Sequence, residues 1–86
     1  MNEDPLSWYM IESGWAVYDN DGDEAGRVEE VLGDTERDIF DGITIATGVF
    51  SVPRYLPSEH VTGIVDGGVK VELSTPEIDK LDAYDP

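Results

Sequence analysis

The chain has 86 residues, contains no cysteine and carries a formal net charge of −15, from 20 acidic and 5 basic residues. This length allows one domain, and the missing thiols exclude disulfide frameworks and thiolate metal sites. The five cations stand singly among carboxylates and form no basic stripe, which disfavours direct binding to duplex nucleic acid.

The N-terminal segment separates into an acidic start and an apolar stretch. Residues 1–5 include the acidic pair Glu3 and Asp4, and we expect this segment to be disordered. The six mostly apolar residues of Leu6–Ile11 fit neither a signal peptide nor a membrane span. We therefore expect a soluble, cytoplasmic protein whose single domain covers residues 6–81.

The residues that follow alternate with a period of two, which is typical of half-buried strands. Gly14–Tyr18 predicts a first strand, Asp19–Glu24 a polar turn, and Ala25–Leu32 a second strand. Gly26, inside the second strand, indicates a bulge or a tight bend.

Two further strands are predicted in the middle of the chain. Phe40–Thr47 reads as the third, with Ile43 and Ile45 on one face. Val52–Leu56 reads as the fourth. Pro53 and Pro57 should keep it short or at a sheet edge, because proline donates no hydrogen bond to a ladder.

A hairpin and a helix complete the predicted elements. His60–Val65 and Val69–Leu73 flank an Asp-Gly-Gly turn in which glycine supplies a positive φ. Ser74–Glu77 carries a capping-box pattern with an early proline, which predicts a short helix that turns Ile78 towards the sheet. We expect residues 82–86 to form a frayed tail.

The order of these pieces resembles the PRC-barrel family, the small β-barrel shared by the photosynthetic reaction centre H subunit and bacterial ribosome maturation factors. The resemblance spans residues 11–81, and Leu6–Ile11 extends beyond the family's usual start. The stretches that carry it are Gly14–Asp19, Asp21-Gly22, Gly26–Val31, Tyr55–Val61, Val69–Leu73 and Thr75–Glu77.

The resemblance implies a mainly all-β fold, a small six-strand barrel with a short C-terminal helix. It also implies a non-catalytic module that docks onto proteins, often as a homodimer or as part of a larger assembly, in roles such as ribosome maturation, photosynthesis or archaeal cell division. The family shares no catalytic residues and no cofactor.

An alternative function rests on the acidic turn. Asp19, Asp21, Asp23 and Glu30 occupy the first, third, fifth and twelfth positions of a calcium loop. However, the glycine stands at the fourth position rather than the sixth, and strands flank the loop instead of helices. An ordinary hairpin turn is the favoured interpretation, with a cation site as the alternative.

The sequence offers no convincing catalytic centre. His60 is the only histidine, and its neighbours Ser58 and Glu59 point to opposite faces of a strand, so the three cannot act as a triad. We expect His60 to face solvent or a satisfied partner, and we expect that the protein is not an enzyme.

The interaction surface is placed in the N-terminal apolar segment. Trp8, Tyr9, Met10 and Ile11 lie outside the family-like barrel, and we expect them to form a strand that adds to the sheet of a neighbouring chain in a homodimer.

The acidity has two interpretations. One is a functional acidic surface that mimics DNA or collects cations, and the other is adaptation to the high-salt cytoplasm of a halophile. Adaptation is favoured, because the acids are spread over the whole chain and not concentrated in one block.

Overall fold

The computed structural model of the protein describes residues 8–47 and 52–84. Within these ranges the chain forms six strands, one α-helix and two short 3₁₀ helices. They are the 3₁₀ helix Trp8–Met10, β1 (Ala16–Tyr18), β2 (Glu24–Asp34), β3 (Ile39–Ala46), β4 (Arg54–Pro57), the 3₁₀ helix Ser58–His60, β5 (Val61–Val65), β6 (Gly68–Val71) and α1 (Thr75–Asp79). No helix in the described part of the chain is long and apolar enough to cross a membrane.

The strands form one sheet in the order β4-β3-β2-β1-β6-β5. All neighbours are antiparallel except β1 and β6, which run parallel. The longest pairing joins β2 and β3, from Arg27 opposite Ala46 to Asp34 opposite Ile39. The N-terminal 3₁₀ helix packs against this β2–β3 hairpin.

The sheet curls around one apolar core. Each of the six strands contributes at least one side chain to a single buried cluster, which a flat sheet could not bring together. Register shifts in the β1–β2, β2–β3 and β5–β6 pairings supply the bends. The strand residues of the core are Val17, Val28, Ile43, Ile45, Leu56, Ile64, Val69 and Val71.

The six strands predicted for the barrel all form, with ends that differ by at most two residues. The predicted bulge at Gly26 lies at the point where the β1–β2 register shifts. A Cβ on this glycine would come within 2.7 Å of Cγ2 of Ile45, so the bend also needs a residue without a side chain. Gly67, in the β5–β6 turn, has a φ of 83°, as the hairpin requires. The proline-flanked β4 is an edge strand.

The predicted helix also forms, and its N-terminus is closed by a full capping box. The Ser74 hydroxyl accepts from the amide of Glu77, and the Glu77 carboxylate accepts from the amide of Ser74. Ile78 is completely buried in the core. Helix α1 therefore covers one opening of the curled sheet, as expected from the sequence.

Two local predictions were wrong. Trp8–Met10 forms a 3₁₀ turn rather than a strand, closed by a hydrogen bond of 3.2 Å from the amide of Ile11 to the carbonyl of Trp8. Residues 82–84 do not fray, because Ala83 pairs with Arg54 at the edge of β4. The predicted disorder of residues 1–5 and the last two residues of the tail lie outside the described residues.

Candidate interaction surface

Trp8 packs against two other aromatic rings. Its ring is stacked on Phe40 of β3, with centroids 5.2 Å apart and planes at 11°. The Tyr9 ring lies 4.6 Å away in a tilted arrangement. The indole Nε1 donates to Oδ1 of Asp38 at 3.0 Å. The indole is therefore fixed by apolar packing on one side and by a hydrogen bond at its polar edge.

The tip of the β2–β3 hairpin supplies the polar partners of this aromatic group. The Tyr9 hydroxyl donates to the carbonyl oxygen of Thr35 at 3.0 Å, and Asp38 adopts a positive φ of 55°. Desolvation raises the pKa of Tyr9 the most. Its hydrogen bond to Asp38 and the charges of Asp38 and Asp34 raise the pKa further. Tyr9 therefore stays a neutral donor at neutral pH.

Gly33 allows Trp8 to reach the hairpin. A Cβ at this position would collide with the carbonyl oxygen of Ile39 and lie 3.0 Å from Cη2 of Trp8. Only a residue without a side chain lets the indole and β3 approach β2 together.

The four residues predicted to form the interaction surface divide into two groups. Tyr9 and Met10 are 50% and 52% exposed, and Trp8 is half-buried. Ile11 is only 7% exposed and packs in the core, while part of it lines the cleft beside Trp8 and Tyr9. We predicted a strand from the sequence pattern, whereas the 3₁₀ turn directs Ile11 inward. Of these four residues, Tyr9 and Met10 expose the most surface to another molecule.

Trp8 also separates two clefts. One has a volume of about 310 Å³ and runs along Tyr9, Val31 and Thr35. The other, of about 230 Å³, lies between Trp8, Phe40 and the 61–64 stretch of β5. Phe40 and Val61 were not singled out from the sequence, because both simply continue the alternation of their strands. Phe40 and Val61 reach this surface because the curled sheet brings β3 and β5 to the same cleft beside Trp8.

The acidic turn serves the fold. Oδ1 of Asp19 accepts from the amides of Asp21 and Asp23, both at 2.9 Å, and Oδ2 accepts from the hydroxyl of Thr75. The hydroxyl of Thr75, then the amide of Asp23, and also the amides of Asp21 and Gly22 lower the pKa of Asp19, against the opposing effect of burial. Asp19 thus ties the β1–β2 turn to the start of α1.

The calcium-loop alternative has no geometric support. Glu30 lies in β2, six residues after Glu24, the first residue of that strand. At the rise of an extended strand, the distance between these two residues is about 20 Å. The described residues contain no group of three acidic or histidine side chains that could hold a metal ion. Asp19, Asp21 and Asp23 share a turn, but Glu30 does not reach them.

A further cleft, of about 500 Å³, lies beside this turn and is lined in part by Asp21, Thr62 and Lys70. Lys70 is the only cation in its wall. The Asp19 carboxylate at its margin already accepts three hydrogen bonds. We therefore place the candidate site at Trp8 and not here.

His60 is engaged by acidic side chains. Its Nδ1 lies 2.8 Å from Oε2 of Glu72, and its Nε2 lies 3.9 Å from Oε2 of Glu59. The amide of Glu72 also donates to the carbonyl oxygen of His60 at 3.0 Å. The ring therefore joins the start of β5 to the end of β6, in line with the expected satisfied partner.

The chain matches a known protein family. The family model described as PRC-barrel domain matches residues 13–80, which is most of the chain. A search of curated proteins found no match. The matched range starts after the 3₁₀ turn, so Trp8, Tyr9 and Met10 lie outside the family pattern.

Proposed function

The chain belongs to the PRC-barrel domain family, and from this premise we propose that it is a non-catalytic protein-interaction module. In this proposal it forms a homodimer and docks onto another protein or a larger assembly, in a role of the cell-division or ribosome-maturation type. The fold supports a binding function, since a small barrel presents edges and turns to partners. A fold alone does not fix a function.

The observation that carries the proposal is the exposure of Tyr9 and Met10 beside a fixed indole. Tyrosine, tryptophan and methionine are enriched at protein interfaces. Here half of the surface of Tyr9 and Met10 remains open to solvent, while hydrogen bonds and stacking hold the neighbouring Trp8 in place. A surface that is already ordered loses little entropy on binding.

The homodimer is tested by light scattering with size-exclusion chromatography on the wild-type chain and on Met10→Ser. We expect twice the monomer mass for the wild type and a shift towards the monomer for the variant. Trp8→Ala is a poor test, because Trp8 also packs on Phe40 and its removal would destabilise the fold.

Val52→Ser is the matched control, since Val52 is 55% exposed and lies outside this surface. It should keep the wild-type mass. A monomeric wild type at every concentration, or a dimer unaffected by Met10→Ser, argues against this mode of self-association.

We further propose that the protein works in a salt-rich cytoplasm of the halophile type. The described residues contain two ion pairs that involve arginine, Arg27 with Glu24 and Arg37 with Asp34, and all four side chains are largely exposed. Such exposed pairs contribute little to stability. Because the chain has 20 acidic and only 5 basic residues, most of the acids have no cation to compensate their charge. High salt is the condition that screens such a surface.

A further inference from the structure

The two edges of the sheet differ in how they are protected. The β4 edge is short, is flanked by Pro53 and ends at Pro57, and is covered by the segment around Ala83. The amide of Tyr84 donates to the carbonyl oxygen of Pro53 at 2.8 Å. These are the devices by which proteins prevent unwanted strand pairing.

The β5 edge has neither a proline nor a covering segment among the described residues, although a register shift between Val61 and Gly63 bends it. Val61–Val65 pairs with β6 on one side, and none of the described residues pairs with its other side. The strand contains no proline, lysine or arginine. Thr62 is exposed, and Val65 is 37% exposed. The outer edge of β5 therefore offers main-chain groups to an added strand.

An apolar cleft runs beside this edge. Its walls are Trp8 and Phe40 on one side and Val61, Gly63 and Ile64 of β5 on the other. The volume of about 230 Å³ has room for one large apolar side chain. A strand added to β5 would bring alternate side chains to this cleft, which provides specificity in addition to the main-chain hydrogen bonds.

Acidic side chains lie at both ends of β5. Glu59, two residues before the strand, has a side chain that is 79% exposed. Asp66 follows the strand directly and is exposed. This edge favours a basic segment over an acidic one, and in high salt that preference is limited to cations that directly contact Glu59 or Asp66.

We propose that β5 accepts an extended segment of a basic partner protein as a seventh strand, with one large apolar side chain in the Trp8–Phe40 cleft and lysine or arginine near Glu59 and Asp66. This rests on the proposed function and names the edge and the chemistry of the partner. A second copy fits less well, because it carries the same net charge of −15 and the same acidic residues at the ends of β5.

The test uses the full chain, labelled with ¹⁵N, and a synthetic seven-residue peptide in which lysine alternates with valine around a central phenylalanine. We expect chemical-shift changes at the amides of residues 61–65 and slower hydrogen exchange at the amides on the outer edge of β5. Val65→Lys should weaken peptide binding by about fivefold, since it places a like charge opposite the lysines. Val52→Lys, with the same charge change elsewhere, should bind within twofold of the wild type.

Two control peptides separate strand addition from simple charge attraction. One has both valines replaced by proline, which keeps the charge and the phenylalanine but removes two N–H donors. The other has glutamate in place of lysine. Both should lose most of the affinity.

Three results would overturn the proposal: no binding of the lysine peptide, equal binding of the proline peptide, or protection of the β5 amides that grows with protein concentration when no peptide is present. The last result would assign the edge to a second copy. Light scattering on the same samples reports the Met10-dependent dimer separately, so failure at β5 is distinguishable from failure of the proposed function.

Discussion

The position of Trp8 depends on the absence of a side chain at residue 33. Gly33→Ala would push a methyl group against the backbone of Ile39 and the edge of the indole. Overpacking of this kind costs about 1–3 kcal/mol. We expect the free energy of unfolding, measured by urea denaturation, to fall by this amount and the tryptophan fluorescence to change.

Gly63→Ala provides the matched control. A Cβ at Gly63 would meet only the Lys70 side chain, and no closer than 3.8 Å. The free energy of unfolding should therefore change by less than about 0.5 kcal/mol. Equal effects at the two positions would show that the loss reflects strand propensity and not the contact with Trp8.

Asp19 gives the fold a defined response to acid. Its hydrogen bonds to Thr75 and to the turn amides put the pKa of this carboxyl below its unfolded value of about 3.9. The stabilisation is therefore complete above that unfolded value and is lost as the pH falls through the folded value. We expect Asp19→Asn to be less stable than the wild type at pH 7 and to show a smaller loss of stability on acidification.

Asp21→Asn is the control from the same turn, because the contact of Asp21 with Asp19 uses its backbone amide. Thermal unfolding between pH 7 and pH 3 compares the three proteins. If Asp21→Asn reduces the loss of stability on acidification as much as Asp19→Asn does, the hydrogen bond of Asp19 to Thr75 does not cause that loss.

At the scale of elements, the segment 82–84 acts as a cover for β4. The amide of Tyr55 donates to the carbonyl oxygen of Asp82 at 3.0 Å, and the amide of Tyr84 donates to that of Pro53. Nη1 of Arg54 donates to the carbonyl oxygen of Leu81 at 2.7 Å. This segment completes the protection of one sheet edge while the other edge remains open.

A pair of substitutions at Tyr84 tests this cover. Tyr84→Ala removes the ring, which lies 6.2 Å from that of Tyr55, but keeps the amide. Tyr84→Pro also removes the donor to Pro53 and should cost about 1 kcal/mol more. Hydrogen exchange at the Tyr55 amide should be faster in the proline variant. The same exchange rate in both variants would mean that the backbone hydrogen bond contributes nothing.

The elements that the sequence predicted correctly are those specified by patterns of neighbouring residues. The alternation of β5 and β6, the Asp-Gly turn between them and the capping box at Ser74 are all local patterns, and each formed as expected. The 3₁₀ turn at Trp8 was missed because a mostly apolar segment of six residues is too short to distinguish a strand from a turn.

The candidate site was only partly predictable, because its contacts join distant parts of the chain. Trp8 and Tyr9 were singled out as exposed apolar residues, but their partners Thr35, Asp38 and Phe40 lie 26 or more residues away. Nothing in the local pattern pairs such positions. The parallel contact of β1 with β6, which brings β5 to the sheet edge, has the same long-range origin.

At the scale of the whole molecule, charge sets the conditions under which the barrel is stable. A net charge of −15 on 86 residues gives strong self-repulsion when the acids are brought close together by folding. The screening length falls from about 10 Å at 0.1 M salt to about 3 Å at 1 M. Folding should therefore be more favourable at high salt.

A potassium chloride series followed by circular dichroism tests this expectation. The midpoint of thermal unfolding should rise steadily between 0.1 M and 2 M salt. Glu29→Lys with Glu36→Lys changes two exposed acids and brings the net charge from −15 to −11, because each replacement adds two charges. This variant should reach the same midpoint at lower salt, whereas an effect of salt on apolar burial would be equal in both proteins. Full stability at 0.1 M that does not change with salt would contradict the adaptation hypothesis, and the acidic surface would then need a functional explanation, with the acids around β5 as the first place to look.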